Sequence, residues 1–125
     1  MRNLPFVIDD LNGGFMKAEG ILSVEEDRLV FEFQKKDTVL EAYKSDLMTD
    51  EISFSELDMI EFKKGIFSTK LILHGKRAAT FKNLPGSELT VRTLKIKKKD
   101  RNTAANISSR VNLELSEMKL KELDE

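Results

Sequence analysis

The chain has 125 residues, with 21 basic and 22 acidic side chains, 40 % hydrophobic residues and a net charge of −1. That is one globular domain's worth of sequence. The lack of Cys excludes disulfides, a thiol nucleophile and thiolate metal sites, and a single His excludes a two-histidine metal motif.

The elements follow in chain order. Residues 1–15 read as an irregular lead-in, with Pro5, Asp9, Asp10 and the pair Gly13–Gly14. From Met16 the pattern becomes strand-like. MKAEGILSVE carries Ile21 and Leu22 and runs into the acidic turn EEDR. LVFEFQ places Leu29, Phe31 and Phe33 on one face and Val30, Glu32 and Gln34 on the other, the alternation of a half-buried strand. KKD is a turn, TVLEAYK a further strand and SDLMTD a loop. EISFS points Ile52 and Phe54 inward, and Ile60 and Phe62 form a short strand with Leu57 on its approach. KKG reads as a hairpin turn in which Gly65 supplies a positive φ. FSTKLILH then sets Phe67, Thr69, Leu71 and Leu73 on one face. Gly75–Lys76 reads as a second hairpin turn, and RAATFK returns with Phe81 inward. NLPGSE is a loop on Pro85–Gly86, and LKIK, with Leu94 and Ile96 inward, is the last strand.

At Asp100 the period changes from two to 3.6. Asp100 can cap a helix N-terminus through its carboxylate. Ala104, Ile107, Val111, Leu115 and Met118 recur at spacings of three and four and fall within about 80° on a helical wheel. No Gly or Pro interrupts residues 100–125, so one C-terminal helix is expected over 101–123. The expectation is a mainly β, single domain over 1–125, with strands over 16–97. About seven short antiparallel strands form a barrel or bent sandwich, and the helix buries its stripe over the open mouth.

Charge is unevenly spread. Residues 1–60 carry a net −8, residues 61–102 a net +9 and residues 103–125 a net −2. This split fits either acidic and basic strands that pair internally or a face for an anionic partner. The run Lys95, Lys97, Lys98, Lys99 and Arg101 straddles the last strand and the helix start, where the helix dipole disfavours cations. It is the candidate anion-binding site.

The other chemistry is thin. His74 sits at a strand end beside Gly75 and reads as a solvated edge residue. Asp9–Asp10, Glu25–Glu26–Asp27 and Asp50–Glu51 are neighbours in sequence, which gives no convergence on a site. Asp46, Asp50 and Glu51 lack the spacing of a calcium loop. Gly13–Gly14 lacks the Lys–Ser or Lys–Thr of a phosphate loop. No catalytic residue, metal ligand or cofactor is expected. A net charge of −1, no Trp and one Tyr argue against nucleic acid. No apolar run is long enough for a membrane span or a signal peptide, so the expected location is cytoplasmic.

The string of short strands closed by one amphipathic helix resembles the pleckstrin-homology-like fold. The stretches KKGIFSTKLILHGK, LPG and LKIKKKDRNTAANISSRV resemble small bacterial proteins of that type, over roughly residues 16–118. The resemblance implies a binding platform rather than an enzyme. Relatives that bind phosphoinositide headgroups use Lys and Arg between the first two strands. Here that connection is taken as Glu25 to Arg28 and is acidic, which removes the usual site. The expected function is a non-enzymatic interaction module that self-associates or binds a protein. Leu113 and Leu120 lie almost opposite the buried stripe, with Leu123 nearby, and the three are the candidate contact. The alternative is peripheral binding of anionic lipid or another anion through residues 95–101.

Overall fold

The computed structural model describes residues 3–38 and 45–124. Seven strands precede one helix: β1 Asn3–Leu11, β2 Met16–Val24, β3 Arg28–Asp37, β4 Met48–Ser53, β5 Leu57–Lys64, β6 Thr69–Gly75, β7 Val91–Ile96 and α1 Arg101–Asp124. All pair antiparallel in one sheet of order β4-β3-β2-β1-β7-β6-β5. Among the described residues β4 and β5 do not pair, so the sheet is bent but not closed into a barrel. Seven antiparallel strands and a C-terminal helix are the arrangement that the pleckstrin-homology-like resemblance implies. The expected strand TVLEAYK falls mostly on residues 39–44, outside the described residues; Thr38 is a turn residue.

The expected irregular lead-in is instead strand β1, with Leu4, Phe6, Ile8 and Leu11 in the core. Pro5 and the Asp9–Asp10 pair dilute its strand signal. This shifts the connections by one. EEDR joins β2 to β3, and the first two strands are joined by a turn through Asn12, Gly13 and Gly14. These three residues have φ of 48°, 65° and 95°, a run of left-handed backbone that suits Gly. In the middle of β2, Gly20 faces Phe6 on one side and Phe33 on the other. A Cβ there would stand 2.0 Å from the Glu32 carbonyl oxygen, so only Gly lets the strands close up.

One core joins both halves of the sheet and the helix. Leu29, Phe31, Phe33, Ile52, Phe54, Ile60, Leu71, Leu73, Phe81, Leu94, Ile96, Ile107 and Val111 are buried as expected, and Phe62 is partly buried against them. Two expected core residues are not there. In β2 the inward places belong to Ala18, Leu22 and Val24, so Ile21 faces outward and is 38 % exposed. Phe67 precedes β6 in the hairpin turn, beyond the reach of the strand's alternation, and is 99 % exposed.

The expected turn at Gly75–Lys76 is the end of β6 and the start of a long connection to β7. Residues Ala78–Phe81 form a 3₁₀ turn there rather than a strand. Phe81 and Leu84 tuck under this connection, and Arg92 pins it. The buried Arg92 guanidinium donates to the carbonyls of Leu84 (2.8 Å), Phe81 (3.2 Å), Val91 (2.9 Å) and Glu88, and lies 5.1 Å from the Phe81 ring centre.

Helix α1 lies on β5. Ala104, Ile107, Ser108, Val111 and Leu115 are buried along it, and Met118 packs at the rim. Its polar side chains serve the free edge of β5. The Ile60 N–H donates to Asn112 Oδ1 (2.9 Å), while Asn112 Nδ2 (2.7 Å) and Ser108 Oγ (3.2 Å) donate to the Ile60 carbonyl. Asp100 belongs to a 3₁₀ turn, Lys98–Asp100, that leads into the helix. Its Oδ2 is buried with no hydrogen-bond partner among the described residues, so that oxygen does not act as the expected cap.

Candidate anion-binding end of the sheet

Strand register assembles the basic residues. Across β5, β6 and β7, Lys63 pairs with Lys70 and Lys70 with Lys95. Their neighbours Phe62, Leu71, Leu94 and Ile96 turn inward, so the three lysines form a row on the outer face. Like charges directly opposite each other are destabilising. The row is neutralised only at its ends: Lys95 Nζ lies 2.6 Å from Asp9, and Lys63 Nζ lies 3.6 Å from Glu61. Lys70, in the middle, forms no ion pair among the described residues.

The rest of the cluster lies one step further along the same strands. Lys64 pairs with Thr69, and Thr69 pairs with Ile96, the last residue of β7. Lys97, Lys98 and Lys99 therefore leave the sheet beside the β5–β6 hairpin, and all three are exposed without an ion pair among the described residues. Arg101 is half-buried, and its Nε donates to Thr69 Oγ1 at 3.0 Å, tying the start of α1 to the hairpin base. The five expected cations thus share one end of the sheet but differ in role. Lys95 and Arg101 have internal partners, while Lys97, Lys98 and Lys99 do not. Lys63, Lys64 and Lys70 escape the sequence reading, because only the strand register brings KKGIFSTK beside the 95–101 run.

The hairpin turn is centred two residues later than expected. The Gly65 N–H donates to the Ser68 carbonyl at 2.8 Å, which leaves Ile66 and Phe67 as its two central residues. Gly65 does not adopt a positive φ; it is needed because a Cβ would come 2.7 Å from the Ser68 oxygen. Ile66 is 86 % exposed.

Beside Lys95 the sheet splays, because β1 meets β7 at the single bridge Val7–Lys95. A groove of about 290 Å³ opens there over Pro5, Val7, Gly20 and Ile21, with Lys95 and Lys97 on one wall and Glu19 on the other. Burial tends to raise the Glu19 carboxyl. Bonds and charge from Lys17 and Lys36 outweigh it and hold the group below its ordinary range.

Elsewhere the charged residues are engaged separately. His74 Nε2 is 3.3 Å from Glu61. Asp10 accepts from Ser87, and Glu51 accepts from Arg28, both at 2.5 Å. Among the described residues no three His, Asp or Glu side chains gather as a metal site would require. The turn between the first two strands, residues 12–15, itself carries no basic residue, and Lys35 of β3 lines the shallow cavity beside it. On the helix, Leu113, Leu120 and Leu123 are exposed by 61 % or more. Comparison with protein-family models, with curated proteins and with solved structures finds no match for this chain.

Proposed function

We propose that the protein is a non-enzymatic, cytoplasmic interaction module of pleckstrin-homology-like type that binds an anionic partner through the β5–β7 end of its sheet. One observation carries this reading: Lys70 in β6 and Lys97, Lys98 and Lys99 just past the end of β7 lie at one end of the sheet with no ion pair among the described residues. A fold that spends stability on opposed like charges recovers it when an anion arrives. Nucleic acid is the poorer fit, since the whole chain has a net charge of −1 and no Trp. The test is sedimentation with phosphatidylcholine vesicles, with and without phosphatidylserine. Binding is expected only to the anionic vesicles, weakening as salt rises. Replacing Lys97, Lys98 and Lys99 by Glu should abolish it. Binding that ignores both salt and the triple variant overturns the reading.

A second reading has its own observation. Leu113, Leu120 and Leu123 stand exposed on a helix whose other side is already packed on β5. We infer that they form a contact between copies of the chain or with a protein partner.

A further inference from the structure

The tips of hairpin turns stand in water and are ordinarily polar. Here both central positions are large apolar residues, Ile66 and Phe67, and both stand almost fully in solvent. They add nothing to the core. The turn is also firmly presented, because the pairing of β5 and β6 continues up to Lys64–Thr69 at its base. Around that base lie Lys63, Lys64, Lys70, Lys97, Lys98 and Lys99.

We propose that Ile66 and Phe67 are a wedge that enters the acyl boundary of an anionic lipid bilayer while the surrounding lysines hold its headgroups. The proposal rests on the anion-binding reading above and names its partner. An apolar point inside a basic ring is the pattern of an interfacial anchor: the charges bring the protein to the surface and the apolar side chains add burial. A narrow turn with two side chains supplies little of the roughly 800 Å² that each partner contributes to a stable protein–protein interface. A bilayer has no such minimum. Contact is peripheral, since no helix among the described residues is long and apolar enough to cross a membrane.

The chain contains no Trp, so Phe67→Trp in the full-length protein gives a single fluorescent reporter. With phosphatidylcholine–phosphatidylserine vesicles its emission should shift to the blue, and lipids brominated on the acyl chain should quench it. With phosphatidylcholine alone neither change is expected. Ile66→Ser/Phe67→Ser should lower partitioning about tenfold or more while melting as the parent does, and what binding is left should depend on salt. If the Phe67→Trp protein sediments with anionic vesicles but its indole is not quenched, the wedge is overturned and the electrostatic reading stands. If it sediments with neither vesicle, both fall. A blue shift that follows protein concentration without any lipid means that the tip meets a second copy or a protein surface, and overturns the bilayer assignment.

Discussion

One buried charge and one half-buried charge show how differently single residues are accommodated. Arg92 is surrounded by acceptors: four backbone carbonyls and a ring face receive its guanidinium. Burial still pushes it below its ordinary value, opposed by the charges of Asp10 and Glu88. Its removal would leave those carbonyls unmatched under the β6–β7 connection. Asp50, on β4, has less. Burial raises its carboxyl, helped by the charge of Glu51, and the bonds from the Glu51 backbone and Asn83 and the charge of Lys82 offset this only in part. The folded chain therefore holds the Asp50 proton to a higher pH than the unfolded chain does. More protons on the folded state mean that stability falls as pH rises from about 3.9, the ordinary Asp value, through the raised one. Asp50→Asn removes this loss and can keep a bond to Asn83. In urea unfolding the variant should be more stable than the parent at neutral pH, with the gap closing toward pH 4. An equal gap at both pH values removes the assignment to Asp50.

Helix and sheet meet through an exchange that a neighbouring strand would otherwise provide. β5 is an edge strand, and unpaired edge groups in a buried seam are costly. Asn112 answers both polar groups of Ile60 with one side chain. Asn112→Ala should destabilise the fold by about 1–3 kcal/mol in urea unfolding. Lys119→Ala, which loses an exposed 3.4 Å contact to the Asp58 carbonyl and an exposed 3.7 Å ion pair with its carboxylate, should change stability by less than about 0.5 kcal/mol. Equal effects would show that the edge bonds contribute nothing. The buried stripe of this helix is legible in the sequence because Ala104, Ile107, Val111 and Leu115 repeat at a helical period along one element. Strand β3 is legible for the same reason at period two. What escapes such a reading is whatever depends on another element. Asn112 gives no hint of its partner 52 residues away. β1 is hidden by Pro5 and two Asp residues, although Leu4, Phe6 and Ile8 alternate within it. Phe67 shares its parity with Thr69, Leu71 and Leu73 yet lies outside, because pairing stops at Thr69. The candidate site divides in the same way: Lys95–Arg101 is contiguous in sequence and visible, while Lys63 and Lys70 join it through register alone.

Across the whole molecule, strand order turns a split in the sequence into a split in space. β4, β3, β2 and β1 lie together, as do β7, β6 and β5, so the acidic first half and the basic segment 61–102 fall largely in different halves of one sheet, only Leu57–Ile60 of β5 crossing to the basic side. They do not interleave strand by strand; they meet along β5 and where β1 touches β7, and the ion pairs Arg77–Glu56 and Lys95–Asp9 span these boundaries. Such a molecule orients in the field of an anionic surface. It also carries a long helix of 24 residues, about 36 Å at 1.5 Å per residue. Its buried residues stop at Leu115, and beyond Met118 the helix runs on with Leu120 and Leu123 in solvent and Leu113 further back. On the proposed reading of these leucines as a contact, a second copy would offer the same residues in a two-fold arrangement. Light scattering after size exclusion should find the parent heavier than a monomer as concentration rises. Leu113→Glu/Leu120→Glu should return it to the monomer mass while leaving binding to anionic vesicles unchanged, because the basic end lies at the other end of α1. A parent that stays monomeric at high concentration, or a double variant that stays assembled, removes the helix contact. A double variant that also loses the vesicles would make assembly a condition for the basic end to hold its partner, since two weak charged surfaces on one particle bind far more tightly than one.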